Sequence, residues 1–212
     1  MKDIDLTLYL VTNRDKISDD VFFNRIEEAL KGGVSLVQLR EKTASTREMI
    51  EIATKLKDLC HKYQVPLLID DRVDVCLASG ADGVHLGSED MDIDVARRIL
   101  GDEKIIGATA KTVETALEKE RQGADYLGVG AIYPTKTKVK TVLTKLSTLR
   151  AINDEIKIPS AAIGGLNETN LDVLEGSGAS GICVVRAIMD SEKPREVAEK
   201  LSGLSKEILN LA

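Results

Sequence analysis

Arg40 and Lys42 stand two residues apart in the stretch Leu36-Val-Gln-Leu-Arg-Glu-Lys42. Side chains of a strand alternate between its faces, so a strand here puts Gln38, Arg40 and Lys42 on one side and Val37, Leu39 and Glu41 on the other. A parallel strand buried on both faces reads instead as a continuous apolar run, as Leu67-Leu68-Ile69 does. A desolvated Arg or Lys needs an anion or a dipole beside it, and the guanidinium fork matches phosphate or carboxylate oxygens. The stretch therefore points to an anion pocket at the carboxyl end of a strand. The alternative is a strand that ends at Leu39, with the three polar groups reaching solvent or pairing with local acids.

Other polar residues fall just after apolar runs: Asp70 and Asp71, Glu89 and Asp90, Thr109, the run Pro134-Thr135-Lys136-Thr137-Lys138, Gly164-Gly165 and Arg186. Asp71 and Asp90 could share a hard cation such as magnesium, which takes one or two carboxylates together with water and phosphate oxygens. Alternatively, each caps the helix that follows it, at Arg72 and near Ile93. Arg40, Lys42 and Lys138 would hold the rest of a polyphosphate. Gly164-Gly165 expose backbone N–H groups where a barrel often binds phosphate.

Several familiar motifs are missing. Gly128-Val-Gly130 is followed by Ala-Ile-Tyr, so it is not the dinucleotide fingerprint, and no Walker-type loop occurs. His61 reads as a surface residue of a helix, and His85 as a hydrogen-bonded interior residue rather than a base. No cysteine or serine sits beside a histidine in a nucleophile arrangement. The chemistry must work largely without a conventional nucleophile or general base.

The elements that position these residues alternate along the chain. Strands are predicted over Leu6–Thr12, Leu36–Arg40, Pro66–Asp70, Gly83–Leu86, Ile105–Ala108, Tyr126–Gly130, Ser160–Ile163 and Gly181–Val185. Helical spacing is predicted over Asp20–Lys31, Thr46–Tyr63, Arg72–Ala78, Ile93–Leu100, Val113–Gln122, Thr144–Asn153, Glu168–Glu175 and Pro194–Leu209. Gly32-Gly33, Gly80, Gly123 and Gly178 punctuate helix-to-strand turns. The phrase Ser79-Gly-Ala-Asp-Gly83 returns as Ser177-Gly-Ala-Ser-Gly181, which fits a repeated unit or turn chemistry alone. Eight β units each followed by an α unit make an α/β chain, a (β/α)₈ TIM barrel, as one domain over residues 1–212. A doubly wound sheet is the alternative, since strand order is invisible in sequence. In a barrel the active site forms at the carboxyl ends of the strands, where the polar residues above collect.

Composition narrows the partners. A formal net charge of −6 and 3% aromatic residues provide neither the basic footprint nor the stacking platforms of a nucleic-acid binder. No run has the length of a membrane helix, and the start Met-Lys-Asp-Ile-Asp is unlike a signal peptide. A cytoplasmic location and small phosphorylated ligands are expected, with no nucleic-acid or membrane partner and a homo-oligomer left open. Cys60, Cys76 and Cys183 are scattered and read as reduced, buried thiols.

Together these phrases resemble the thiamine-phosphate synthase family over nearly the whole chain. The resemblance is carried by Val37-Gln-Leu-Arg-Glu-Lys42, Ile69-Asp-Asp-Arg-Val-Asp74, Ala81-Asp-Gly-Val-His-Leu-Gly87 with Glu89-Asp90, Gly123-Ala-Asp-Tyr126, Tyr133-Pro-Thr-Lys-Thr-Lys138 and Ala162-Ile-Gly-Gly165. It implies a magnesium-dependent barrel transferase that joins a hydroxymethylpyrimidine diphosphate to a thiazole phosphate and releases pyrophosphate. Carried over, Gln38 touches the pyrimidine, Arg40, Lys42 and Lys138 the diphosphate, and Asp71 and Asp90 the magnesium. Thr135 and Thr137 hold the thiazole phosphate with the backbone of Gly165 and the strand 8 loop at Val185 and Arg186. Asp70 and Thr109 complete the substrate contacts, and Arg40, Lys138 and Thr109 carry the catalytic work.

The chain departs from the family pattern in places. Asp70-Asp71 stands where Asn-Asp is usual, Thr109-Ala110-Lys111 where Ser-Ala-His is usual, and Arg186 where a serine is expected. The loop after Lys138 reads Val-Lys-Thr-Val-Leu in place of a polar continuation. By strand parity Arg186 falls on the helix-facing side, so the chain is expected to leave strand 8 near Val185 and swing this arginine in toward the phosphate. Three rival readings are a thiazole tautomerase of the same outline, a silent phosphate-binding barrel, and another phosphate-handling isomerase. The Pro-Thr-x-Thr-Lys loop and the metal aspartate favour the synthase over the tautomerase.

Overall fold

The computed structural model describes residues 2–135 and 142–211. Within them eight parallel strands close into a barrel in sequence order, from β1 (Leu8–Val11) through β2 (Leu36–Leu39), β3 (Leu67–Asp70), β4 (Gly83–Leu86), β5 (Ile105–Ala110), β6 (Tyr126–Gly130) and β7 (Ser160–Ile163) to β8 (Gly181–Val184), which pairs back onto β1. The helices α1 (Asp19–Lys31), α2 (Thr46–Lys62), α3 (Val73–Ser79), α4 (Ile93–Leu100), α5 (Val113–Arg121), α6 (Leu146–Glu155) and α8 (Pro194–Leu209) pack outside. A parallel pairing needs such a crossover after each strand, and the closed ring leaves no open sheet edge. No described helix is long and apolar enough to cross a membrane.

Strand parity sorts the core into two shells. Leu8, Leu10, Val37, Leu39, Leu67, Ile69 and Val84 face the helices, where they meet Phe22, Ile26, Ile52 and Leu56. The alternate residues Tyr9, Leu36, Leu68, Tyr126, Ala161 and Cys183 fill the barrel interior. The two buried tyrosines pack edge to face, with ring centroids 5.8 Å apart. All three cysteines are free and buried. Burial pushes the Cys60 thiol up to about 12 and the Cys76 thiol up to about 11, which keeps both protonated and inert.

The Gly-Ala-Asp phrase at residues 80–82 and again at 123–125 is explained by its hydrogen bonds. Gly80 ends α3 in the left-handed conformation at φ 71°, and two residues later the Asp82 carboxylate accepts the Leu67 N–H at 2.7 Å. Asp125 does the same for the Ile106 N–H at 2.8 Å. Each aspartate thus pins the first residues of the preceding strand.

Two segments differ from the sequence expectation. Glu168–Glu175, read as a helix, holds only a 3₁₀ turn, Leu171–Leu174. The Asn167 side chain accepts the Thr169 N–H and the Asn170 side chain accepts the Asn167 N–H, both at 2.9 Å. Asparagine competes in this way with helical hydrogen bonding. A further helix of one turn, α7 (Arg186–Met189), follows β8 where a loop was expected. Four residues are too few to display a helical period.

Candidate active site

A cavity of about 510 Å³ opens at the carboxyl end of the barrel. Its floor is formed by inward residues of the strands, among them Tyr9, Gln38, Asp70, His85, Thr109 and Cys183. Its wall includes Arg40, Asp71, Lys111, Thr135, Gly165, Val185 and Arg186. The expected strand residue Arg40 lies one position beyond β2, and its N–H donates to Thr12 Oγ1 at 3.1 Å. Gln38 is the last inward side chain of β2 and is buried.

The cations meet acids from the next strand. Lys42 Nζ lies 2.8 Å from Asp70 Oδ2 and also touches Asp71, while Arg40 Nε is 3.7 Å from Asp70. Burial alone would lower the Lys42 ammonium, but its bonds to Asp70 and Asp71 outweigh this and hold it above the usual lysine range. Burial raises the Asp70 carboxyl, against the pull of Lys42. The local-acid alternative for this stretch is therefore correct in its contacts. Those acids line the cavity too, so the ion pairs lie at its rim and not on a solvated face.

Neither metal candidate is used as a helix cap. The residue that precedes α3 is Arg72, with no side-chain cap bond, and the one that precedes α4 is Asp92, likewise without one. Asp71 takes φ 61°, a left-handed conformation that few residues other than glycine, Asn and Asp adopt. Its N–H donates to the His85 carbonyl at 2.9 Å. Asp90 accepts the Gly87 N–H at 2.7 Å, and its carboxyl lies beside that of Asp71. Burial, followed by the Asp71 side chain, raises the Asp90 carboxyl. Two carboxylates in contact need a proton or a cation between them. The pair suits magnesium, which accepts one or two carboxylates and completes its shell with water and phosphate oxygens. Among the described residues no group of three or more His, Cys, Asp and Glu side chains is placed to hold a metal ion.

The opposite wall is backbone. Gly165 takes φ 65°, and a Cβ there would stand 2.7 Å from Tyr133 Cβ, so glycine is required where this loop passes Tyr133. The Gly165 carbonyl accepts the Asn170 side-chain N–H at 3.0 Å. The Tyr133 N–H donates to the Gly164 carbonyl at 3.0 Å, which ties the segment leading to Thr135 onto the end of β7. Thr137 and Lys138 lie outside the described residues. Val185 follows β8 directly, as expected, but Arg186 opens α7, and its Nε lies 2.6 Å from Asp190 Oδ2 with both side chains about half exposed. Arg186 therefore lines the cavity wall with its guanidinium paired to a carboxylate of its own one-turn helix, at i+4.

His85 is a hydrogen-bonded interior residue, with Nδ1 2.9 Å from the Tyr126 hydroxyl and Nε2 3.0 Å from Thr109 Oγ1. Tyr9 and Tyr126 went unread as site residues. Their only local signal is a tyrosine on the inward parity of an otherwise apolar or glycine-rich strand.

A family model described as thiamine monophosphate synthase matches residues 8–188. The chain belongs to that family. It is 48% identical over 206 residues to a thiamine-phosphate synthase 2 of Streptococcus pneumoniae, covering 97% of both chains. It is 49% identical over 199 residues to the thiamine-phosphate synthase of Enterococcus faecalis, covering 94% of this chain and 92% of that one. The solved structure of a thiamine phosphate pyrophosphorylase from Pyrococcus furiosus superposes with a TM-score of 0.88 at 42% identity, over 97% of this chain and 98% of that chain. Membership of the thiamine monophosphate synthase family agrees with the resemblance and with the closed barrel. It makes the chain a transferase of thiamine biosynthesis.

Proposed function

We propose that this barrel joins a hydroxymethylpyrimidine diphosphate to a hydroxyethylthiazole phosphate, giving thiamine monophosphate and pyrophosphate by a dissociative, magnesium-assisted route. The observation that carries the reading is the rim itself: Arg40 and Asp71, with Lys42 and Asp90 beside Asp71, stand on one side of a cavity whose other side is the Gly164-Gly165 backbone. Such a site suits two phosphorylated ligands held face to face.

The bond between the pyrimidine methylene and the diphosphate oxygen breaks, and its electron pair leaves with pyrophosphate. The amino group of the ring donates electron density to the methylene cation. The thiazole nitrogen then forms the new carbon–nitrogen bond with its lone pair, so no proton has to be removed. The reaction asks for no general base. In this reading Gln38 holds the pyrimidine, and Arg40, Lys42 and Lys138 hold the departing diphosphate. Thr135, Thr137, Gly165 and the backbone at Val185 hold the thiazole phosphate, with Thr109 between the two ligands. Asp71 and Asp90 would hold magnesium, which supplies positive charge to the leaving pyrophosphate. Charge stabilisation and proximity supply the rate.

Pyrophosphate release and thiamine monophosphate formation, measured with both substrates and magnesium, test the reading. Release that requires both substrates is expected. An enzyme that only moves a proton on the thiazole, or a binding protein, would release none.

A further inference from the structure

A chain of hydrogen bonds runs along the floor of the cavity from Gln38 to Thr109, buried at its Gln38 end and half-buried at His85 and Thr109. The Gln38 amide nitrogen donates to the Tyr9 hydroxyl, whose oxygen lies 2.8 Å from the Tyr126 hydroxyl. Tyr126 in turn meets His85 Nδ1 at 2.9 Å, and His85 Nε2 meets Thr109 Oγ1 at 3.0 Å. Both ends of the chain line the cavity. Both tyrosines are buried, and burial holds each phenol well above its ordinary range, so the links are neutral groups.

An amide nitrogen can only donate, and each hydroxyl carries one proton, so with every proton passed to the next link the chain runs in one sense from Gln38. Tyr9 accepts from Gln38 and gives its proton to Tyr126, and Tyr126 gives its own to His85 Nδ1. The imidazole then carries its proton on Nε2 and donates to Thr109. The Thr109 hydroxyl proton is left for the cavity. At the other end Gln38 keeps its carbonyl oxygen and its second N–H for a ligand. These two groups side by side complement an exocyclic amine next to a bare ring nitrogen, the pairing that an Asn or Gln side chain makes with adenine. A ring with a carbonyl next to an N–H requires the amide turned over. Turning it reverses every bond in the chain and moves the imidazole proton to Nδ1.

We propose that Tyr9, Tyr126 and His85 are positioning residues that fix the hydrogen-bonding sense of the cavity, holding Gln38 for an aminopyrimidine ring and the Thr109 hydroxyl as a donor. This rests on the reading of the cavity as the pyrimidine diphosphate site. The ring ¹⁵N signals of His85 report the sense directly, because the sequence has only two histidines and His61→Asn assigns the pair. In the ligand-free protein at neutral pH we expect neutral His85 with a bare Nδ1 and a protonated Nε2.

Tyr126→Phe removes the middle link. We expect it to leave His85 exchanging between tautomers and to raise KM for the pyrimidine diphosphate about fivefold to tenfold with little change in kcat. Tyr9→Phe provides the same KM test should the first variant fail to fold. A wild-type His85 protonated on Nδ1, or on both nitrogens, overturns the proposal. So does a Tyr126→Phe protein with the wild-type tautomer and KM. The tautomer is read without ligand and so tests the chain alone. If it is as expected, but added pyrimidine diphosphate leaves the His85 and Gln38 side-chain signals unmoved, the ring assignment and the reading beneath it are overturned while the chain stands.

Discussion

Lys42 Nζ lies 2.8 Å from Asp70 Oδ2, so the residue that stands where the family pattern has asparagine is paired with a cation. Arg40 Nε, at 3.7 Å, adds a second. The extra negative charge is offset by these cations, while the Asp71 carboxylate, which shares Lys42, repels it. An amide at this position keeps an oxygen for Lys42, so we expect Asp70→Asn to retain kcat and to change KM for the pyrimidine diphosphate by no more than about threefold. Steady-state kinetics with that substrate varied would check it. A large loss of kcat would put Asp70 in the chemistry instead.

Asp71 and Asp90 should behave differently. Two carboxylates in contact cannot neutralise a pyrophosphate and are themselves negative, so activity should depend on a divalent cation. Asp71→Asn is expected to lower turnover at least about a hundredfold, the scale of losing a main electrostatic contact. Magnesium titration of the variant and assay of the wild type in excess chelator test this together. Full wild-type activity in chelator would rule the role out.

Lys138 ends the Pro134-Thr-Lys-Thr-Lys138 run, whose hydroxyls and cations suit a phosphate-holding loop. Charge on the leaving group grows toward the transition state, so a cation there stabilises that state more than bound substrate. Lys138→Ala should therefore lower kcat more than it raises KM. Unchanged turnover with only a raised KM would contradict the role.

The Arg186–Asp190 pair sets a weak expectation. Both side chains are about half exposed, and an ion pair of this kind contributes little. With the guanidinium held by its own helix, Arg186→Ser should change KM for the thiazole phosphate by less than about twofold. A rise of tenfold or so at low salt would mean that the arginine leaves Asp190 and reaches the phosphate when substrate binds.

Much of this arrangement was legible in the sequence, for a local reason. Buried parallel strands such as Leu67–Asp70 read as apolar runs, and the left-handed Gly80 ends the helix after it, so the β/α alternation is written residue by residue. The rim was legible because polar residues directly after such runs stand out. What escaped is non-local or too short. Tyr9 and Tyr126 are 117 residues apart, and nothing near either announces their hydrogen bond. The one-turn helix at Arg186 shows no period, and it changed the partner of the residue on which the parity reading turned. In Glu168–Glu175 the apolar spacing was present, but the asparagines just before and within it compete for the backbone.

Gly107 carries the last expectation, because it makes room for Tyr126. The two residues are paired across β5 and β6, and a Cβ on Gly107 would fall well inside contact distance of the Tyr126 ring and hydroxyl. Tyr126 is completely buried, so its ring has no open space to enter. Overpacking of this kind costs about 1–3 kcal/mol. For a chain of this size each kcal/mol shifts Tm by roughly 2–4 °C, so Gly107→Ala should melt several degrees lower. The displaced hydroxyl would also lose its bonds to Tyr9 and His85, which should raise KM for the pyrimidine diphosphate as Tyr126→Phe does. A double-mutant cycle with Tyr126→Ala separates this clash from a general loss of backbone freedom. If steric conflict is the cause, Gly107→Ala costs much less in the Tyr126→Ala background. An equal cost in both backgrounds would show that the ring is not what the glycine accommodates.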